Sequence, residues 1–180
     1  MSDDATLALL SDSFGRIGDL VHEVLGGIEP PALTHRVDPE ANTIAWLMWH
    51  VARVQDDHIA GLAYTDQAWM AEGWAERFDL AVDPGDIGYG HSTAEVATLD
   101  GADPHDLLNY HDAVTARTLA YVEGIDDGEL ARVVDGNWDP PVTASVRLVS
   151  VIGDCLQHLG QAAFLRGVAE RAASAQAEPE

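Results

Sequence analysis

Lysine is absent from this chain of 180 residues, and all nine of its basic side chains are arginine. Set against 31 aspartates and glutamates, they leave a formal charge of −22 and a pI near 4.3. A surface this negative repels phosphate backbones, which disfavours nucleic-acid binding through a basic patch. Because 47% of the residues are hydrophobic, the acid excess belongs to the surface and does not indicate a disordered chain.

Cysteine and long hydrophobic runs are equally scarce. Cys155 is the only cysteine in the sequence, which excludes an internal disulfide and a zinc site built from several cysteines. No stretch of 18 uninterrupted apolar residues occurs, so we expect no membrane-spanning helix. The N-terminal segment MSDDATLALL has acids where a secretory signal has bases, which predicts a cytoplasmic protein.

The spacing of apolar residues predicts an all-α fold. Positions three and four apart mark four amphipathic segments, at about residues 7–24, 43–61, 104–124 and 143–171. Residues 44–49 are apolar on every side, so we expect the start of the second helix to be deeply buried. We predict one four-helix bundle domain over residues 1–172, followed by a frayed polar tail at 173–180.

The connection between the second and third helices spans roughly 40 residues, against the 2–8 typical of antiparallel bundle helices. This length allows the two helices to run parallel, which gives an up-down-down-up order. Four large side chains in the connection predict a short extra helix that packs on the bundle: Trp69, Met70, Trp74 and Phe78. The segments DPGDIGYGH and GNWDPPV, the latter before the fourth helix, read as ordered loops.

Polar residues on the fourth and second helices each form a narrow stripe. The fourth helix carries one at spacings of 3, 4, 4 and 3, which places its members within about 80° of the helix circumference: Arg147, Ser150, Asp154, His158 and Gln161. The second helix carries another at spacings of 3, 4, 3 and 4: Thr43, Trp46, His50, Arg53 and Asp57.

Asp154 and His158 are four residues apart, so both could contact one ion with bonds of about 2.0–2.2 Å. His50 has the type and depth of a third ligand. Two imidazoles and one carboxylate leave a fourth position open, as in a catalytic zinc site, although iron, manganese and nickel accept the same ligands. The alternative is a solvated stripe with a simple helical pair. Apolar residues around most of both helices favour the metal, because buried polar stripes need partners.

For the cysteine and the other histidines, position in the sequence alone predicts where each side chain lies. We expect Cys155 to be a small buried thiol and His58 to lie at a rim or interface. His105 and His111 flank the third helix and are expected outside the bundle. His91, in the segment GYGH, could reach the mouth of the metal site from a covering loop.

Four segments together resemble the DinB-like metal-dependent superfamily: WLMWHVARVQDDHIA, QAWMAEGWAERFDL, DIGYGH and RLVSVIGDCLQHLGQAAFLRG. The sequence most resembles its thiol S-transferases that use mycothiol, which are related to mycothiol-dependent maleylpyruvate isomerase. This resemblance covers about residues 42–167. It implies an up-down-down-up four-helix bundle, frequently dimeric, with a divalent metal that is usually zinc.

The same resemblance assigns ligands by position. The first ligand falls on His50 and the last on His158. The middle ligand is histidine in many members and glutamate in the isomerase branch, whereas this chain has Asp154, one methylene shorter than glutamate. Gln161 matches a glutamine one turn later and is expected to donate a hydrogen bond to a ligand.

The leading hypothesis is a metal-dependent transferase that joins a low-molecular-weight thiol, mycothiol, to an electrophilic small molecule. Arg53 and Asp57 are expected, with Gln161, to orient the ligands or the polar groups of the thiol. The loop residues Tyr89, His91 and Trp138 are expected to border the electrophile pocket. Two alternatives stay open: a metal-dependent hydrolase or isomerase, and a non-catalytic, stress-related metal-binding dimer.

Overall fold

The computed structural model describes residues 2–81 and 83–177, and helices account for most of them. The long helices are α1 (Ser2–Leu25), α3 (Ile44–Ala63), α7 (Pro104–Glu123) and α9 (Ala144–Ala177). Between them lie short elements: α2 (Pro30–Leu33), α4 (Ala68–Ala71), α5 (Trp74–Phe78), α6 (Thr93–Val96), a 3-10 turn (Ala97–Leu99), α8 (Asp127–Ala131) and the strands β1 (Val133–Asp135) and β2 (Val142–Thr143).

The long helices begin where capping side chains allow. The Oγ1 atom of Thr43 accepts a hydrogen bond from the backbone N–H of Trp46, which caps the start of α3. Asp103 caps α7 by accepting from the N–H of His105, and Pro104 occupies the first turn, where its missing N–H costs nothing. The starts predicted for the second and third long helices are therefore confirmed to within a residue.

Cross-helix contacts set the direction of each helix. Near one end of α3, His50 faces Asp154 of α9; two turns later, His58 lines a cavity with Arg147, which precedes Asp154. Positions increase along α3 while they decrease along α9. The two helices are therefore antiparallel.

Helices α3 and α7 run in the same direction. Arg53 donates a hydrogen bond to the hydroxyl of Tyr110, and further along both helices Ala63 and Tyr121 line one cavity. Such a parallel pair requires a long connection, which the segment 64–103 provides.

Helix α1 is antiparallel to α7. His22 contacts Asp112, whereas the earlier Gly18 lies closest to the later Thr115. Combined with the other two relationships, this makes α1 parallel to α9. The order is up-down-down-up, as predicted.

The bundle core is densest at the start of α3. Every residue from Ile44 to Arg53 is buried, and Trp49 is completely enclosed. A helix surrounded on all sides must be apolar on all sides, which is why this segment lacks the usual amphipathic pattern. Burial of His50 within this run places a polar group in the core.

The connection between α3 and α7 contains α4, α5, α6 and the 3-10 turn, where the sequence predicted one short helix. Both oxygens of the buried Asp56 carboxylate accept backbone N–H groups at the start of α4, from Ala68 and Trp69, at 2.8 Å each. Trp69 packs against Tyr110 of α7, as expected for a helix that folds back on the bundle. Met70, grouped with Trp69 by the sequence, is exposed instead.

The segment before α9 forms a two-stranded antiparallel hairpin of β1 and β2 and not a simple loop. Its strands are too short for alternation to show in the sequence. The hairpin turn contains Trp138, which is exposed and donates to the Asp135 carboxylate at 3.1 Å.

The expectation that His111 lies outside the bundle is wrong. His111 is completely buried between α7 and α1, and its Nδ1 atom lies 3.3 Å from Thr115 Oγ1. Burial lowers the pKa of His111 to about 4, so the ring is neutral at pH 7. The neighbouring residues Asp112 and Tyr110 are polar or amphipathic, so the sequence pattern gave no sign that His111 is buried.

Helix α9 continues beyond Arg171 to Ala177, so residues 173–177 are helical and not a frayed tail; residues 178–180 lie outside the described part. By length and composition alone, Ala144–Ala175 could cross a membrane, with a mean hydropathy of 1.2. One face of this helix packs on α1 and α3. Its composition is therefore weak evidence for a membrane span.

Candidate metal centre

The structure brings together the three residues predicted as metal ligands. The Nε2 atom of His50 lies 3.7 Å from Asp154 Oδ2, and the Nε2 atom of His158 lies 3.7 Å from Asp154 Oδ1. The two imidazole rings are nearly perpendicular, at 82°, with centroids 4.8 Å apart. One ligand atom from each residue falls within 4.8 Å of the other two.

The environment of the Asp154 carboxylate suits a bound cation. Its Oδ2 atom is buried, and no described residue donates a hydrogen bond to it. An unpartnered buried carboxylate oxygen is costly, whereas a divalent ion between the three groups would satisfy it. Tetrahedral ligands at 2.0–2.2 Å lie about 3.4 Å apart, so the three ligand atoms, which lie within 4.8 Å of one another, must move closer together to share one ion.

A backbone carbonyl fixes the ring of His50. The Nδ1 atom donates its proton to the carbonyl oxygen of Ile87, which leaves the Nε2 lone pair directed toward Asp154. Burial lowers the pKa of His50, against the effect of this hydrogen bond, and the nearby His158 lowers it further. The imidazole is therefore held neutral and in the tautomer that binds a metal through Nε2.

Gly88 allows the loop that carries Ile87 to approach so closely. Its φ angle is +99°, and a Cβ atom at this position would lie 2.8 Å from His50 Nδ1 and 3.0 Å from Trp46 Cζ2. Only glycine accommodates both the backbone conformation and the contact. The ring of Trp46 in turn stacks on that of His50, with an interplanar angle of 11° and centroids 4.7 Å apart.

His158 is held by Gln161, which accepts a hydrogen bond from the ring and does not donate one as the sequence suggested. Its Nδ1 atom lies 3.1 Å from Gln161 Oε1, so the ring N–H donates to the amide oxygen. This hydrogen bond leaves Nε2 free to face Asp154. Both imidazoles thus have their second nitrogen occupied by an oxygen acceptor, the usual arrangement around metal-binding histidines.

His91 lies behind the site and not at its mouth, where the sequence placed it. Its Nδ1 atom accepts from Trp46 Nε1 at 3.0 Å, and its Nε2 atom lies 2.8 Å from Asp86 Oδ2. Burial would raise the pKa of Asp86, but hydrogen bonds from the Gly88 N–H and from His91 lower it overall. With both ring nitrogens engaged, His91 braces the loop against Trp46.

Arg53 also holds this loop and does not reach the three ligands. Its buried guanidinium donates to the carbonyl oxygens of Asp86 and Pro84, at 3.1 and 3.3 Å, and to Tyr110. Asp56 supplies a carboxylate at 3.6 Å. The expected role in orienting the thiol is thus replaced by support of the loop behind His50.

A cavity of about 320 Å³ opens beside Asp154. Tyr89 lines it, and its ring lies edge-on to His50 with centroids 5.7 Å apart. Burial, together with the charge of Asp154, raises the pKa of the Tyr89 hydroxyl. Asp57 lines an adjoining cavity, while Trp138 lines neither. Tyr89 therefore lines the cavity beside Asp154, whereas Trp138 does not.

The model of the mycothiol-S-transferase family matches residues 10–170. The chain belongs to this family. It is a DinB-like, metal-dependent family, and the three converging side chains could hold the metal.

A solved structure supports the assignment of the fold. A crystal structure of a conserved protein from Enterococcus faecalis matches with a TM-score of 0.82 and 34% identity, over 88% of this chain and 94% of that one. Among the curated proteins, no sequence matches this member of the mycothiol-S-transferase family.

Cys155, next to Asp154 in the sequence, lies in an environment that does not suit a nucleophile. Cys155 is completely buried, its Sγ atom contacts the Val51 carbonyl oxygen, and burial raises its pKa. A buried, protonated thiol is a poor nucleophile. This confirms the predicted small buried thiol.

Sequence reasoning missed the parts of this mycothiol-S-transferase site that act through the backbone. The carbonyl of Ile87 has no sequence signature, because every residue carries one. Asp86 and Gly88 stand in the quoted segment DIGYGH, and two glycines flanking an aromatic residue were the available signal.

Proposed function

We propose that this protein is a zinc-dependent transferase that joins mycothiol to an electrophilic small molecule. The observation that carries the proposal is the buried, unpartnered Asp154 oxygen between two imidazoles of fixed tautomer, beside an open cavity. Membership of the mycothiol-S-transferase family supports the choice of thiol. Two histidines and one carboxylate, with room for a fourth ligand, support zinc.

His50, Asp154 and His158 would hold the ion. When bound, a divalent cation supplies positive charge that lowers the pKa of a substrate thiol from about 8.5. Two neutral imidazoles and one carboxylate contribute a single negative charge, so the ligands cancel half the charge of a divalent ion. Three anionic ligands would outweigh the charge of the ion and remove the attraction for a thiolate.

The surrounding residues limit access of water and keep the ligands in place. Trp46 covers one face of the His50 ring, and Tyr89 lies edge-on to it. Low local polarity strengthens the attraction between opposite charges. In the transfer itself, the S–H bond of the thiol breaks, a C–S bond forms at the electrophile, and the proton passes to solvent with the leaving group.

The protein also has a surface suited to self-association, and we propose that it forms a homodimer. Four exposed apolar residues of α9 fall within about 80° of its circumference: Val146, Val149, Leu156 and Phe164. A chain of charge −22 repels its own copies, so association needs a face without charges, which this stripe provides. We further propose that the protein is cytoplasmic, as its sequence predicts.

The decisive experiment follows conjugation of mycothiol to a fluorogenic alkyl halide before and after metal removal. We expect chelation and buffer exchange to reduce turnover at least 100-fold, and one equivalent of zinc to restore it. His158→Ala should behave like the stripped protein, while Arg16→Gln, in an exposed pair on α1, should behave like the wild type. Unchanged turnover in stripped protein would contradict the mechanism.

The same assay separates the alternatives. Metal-dependent turnover of an ester or an unsaturated acid without added thiol would identify a hydrolase or isomerase. Substoichiometric metal combined with no turnover of any kind would identify a non-catalytic bundle.

A further inference from the structure

Two cavities adjoin on the side of α3 that faces α9. The cavity beside Asp154, of about 320 Å³, and a second of about 450 Å³ share His58 and Arg147 in their walls. The second continues past Asp57 to the hairpin strand β1. Because they share two wall residues, the two cavities are treated together here as the Arg147 groove, which extends from Asp154 to the hairpin.

Arg147 is the side chain in this groove with unused hydrogen-bonding capacity. Its side chain is 27% exposed, its nearest acid is Asp135 at 3.9 Å, and no described residue accepts a hydrogen bond from it. Arg132, also in the groove, already makes four hydrogen bonds, to Glu129, Tyr64 and the Leu62 carbonyl. Because a guanidinium carries five N–H donors, Arg147 can serve a ligand that enters the groove.

The other walls supply acceptors and further donors. The Asp57 carboxylate already accepts from Gln67 at 2.7 Å and lies 3.3 Å from His58 Nδ1, yet each oxygen can accept again. Toward the metal centre, the exposed Ser150 and Gln157 add a hydroxyl and an amide. The groove therefore offers both hydrogen-bond donors and hydrogen-bond acceptors.

This lining favours an uncharged, hydroxyl-rich ligand. Each hydroxyl group both donates and accepts, so it matches a wall that offers both kinds of partner. An anionic ligand would instead meet the Asp57 carboxylate and the overall charge of −22. Both cavities lie within the range of about 300–1,000 Å³ typical of small-molecule sites, and a very small thiol would leave most of the groove empty.

We propose that the Arg147 groove binds the sugar-like, uncharged body of the thiol cosubstrate, with its sulfur at the Asp154 end. This inference rests on the proposed function, because it assumes a thiol directed toward the candidate metal centre. It assigns Arg147 and Asp57 to recognition of the thiol body and not to the transfer of the sulfur.

Calorimetric binding of a thioether tests the groove without requiring turnover. The probe is S-methyl mycothiol, whose methylated sulfur cannot become a thiolate, titrated into zinc-loaded protein; S-methyl glutathione is its anionic counterpart. We expect Arg147→Gln to raise the Kd of S-methyl mycothiol at least tenfold, equivalent to about 1.4 kcal/mol. The wild type should bind S-methyl glutathione at least tenfold more weakly than S-methyl mycothiol.

Two further variants make the result decisive. Arg117→Gln removes a guanidinium of similar exposure from a separate cavity between α3 and α7, and its Kd should match the wild type. Ser150→Phe adds bulk at an exposed position of the groove, where folding is not at risk, and should also raise the Kd. Equal Kd values in the wild type, Arg147→Gln and Ser150→Phe would overturn the proposal, as would tight binding of S-methyl glutathione.

Failure of the groove and failure of the proposed function give different results. If 2-mercaptoethanol is conjugated by the wild type and by Arg147→Gln alike, and S-methyl mycothiol binds both alike, the transferase stands and the groove does not. If no thiol is conjugated but Arg147→Gln weakens probe binding, the groove stands and the transferase does not.

Discussion

Cys155 lies next to Asp154 in sequence, yet it faces the core. Since burial raises its pKa, the thiol stays protonated at pH 7 and takes no part in sulfur transfer. Cys155→Ala should therefore keep the rate of conjugation within twofold of the wild type. A tenfold loss of rate in a variant that still binds one metal per chain would argue for a direct role.

His111 makes stability depend on pH. Its pKa is about 4 in the folded protein and about 6.5 in the unfolded chain, so acid protonates the unfolded state first. The stability that neutral His111 contributes is complete above pH 6.5 and is lost as the pH falls toward 4. Between pH 7 and pH 4.5, the loss amounts to about 2.5 kcal/mol.

Urea unfolding at these two pH values measures the effect. His111→Leu should lose about 2.5 kcal/mol less than the wild type, because leucine does not titrate. His105→Gln, at an exposed position of the same helix, should lose as much as the wild type. Identical losses in His111→Leu and the wild type would show that His111 is not the titrating group.

The sequence predicts the positions of some side chains better than those of others. Asp154 and His158 could be paired from their spacing alone, because four residues separate side chains on adjacent helical turns. His50 followed from the apolar run before it. The burial of His111 could not be predicted, because it depends on how closely α1 approaches α7 near Gly18, a property of two distant segments.

Among the elements, the loop of residues 83–92 determines the orientation of His50. Gly88→Ala should push Ile87 away from the imidazole, because the added Cβ would lie 2.8 Å from His50 Nδ1. We expect zinc affinity, measured by competition with a chromophoric chelator, to fall about 10–100-fold, as for other losses of hydrogen bonds to metal ligands.

Gly90→Ala is the matched control for this variant. Gly90 also has a positive φ, +74°, but a Cβ there would meet nothing within 4 Å. Both variants strain the backbone, and only Gly88→Ala disturbs His50. Equal zinc affinities in the two variants would show that the loop does not position the ligand.

The long helices were predictable element by element, whereas the short ones were not. Capping residues and apolar spacing gave α3 and α7 close to their observed bounds, whereas α1 begins earlier, at Ser2, and α9 ends later, at Ala177. Helices α4, α5 and α6 have four or five residues each, too few for a periodic pattern. They are stabilised by tertiary contacts, such as those of Asp56 with the start of α4.

At the scale of the whole molecule, the exposed stripe of α9 predicts self-association. Val149→Asp places a charge in the stripe and should shift the protein from dimer to monomer in light scattering coupled to size-exclusion chromatography. Leu9→Asp, at a similarly exposed apolar position of α1, should leave the dimer intact. A wild type that is monomeric at micromolar concentration would contradict the dimer.

The up-down-down-up order was expected partly from the length of the connection between α3 and α7. A long connection permits a parallel pair, and the fold uses it. The Arg147 groove could not be anticipated in this way. It lies where α3, α9 and the hairpin meet, and only the packed molecule brings Arg147 beside His58.

The metal content of protein purified without added metal tests the central claim most directly. Plasma mass spectrometry should find close to one zinc per chain in the wild type, and less than a tenth of that in His50→Ala and Asp154→Ala, with all three proteins folded by circular dichroism. Equal metal content in the three would contradict a single ion held by His50, Asp154 and His158, and so would a folded wild type that binds no divalent ion when zinc is supplied.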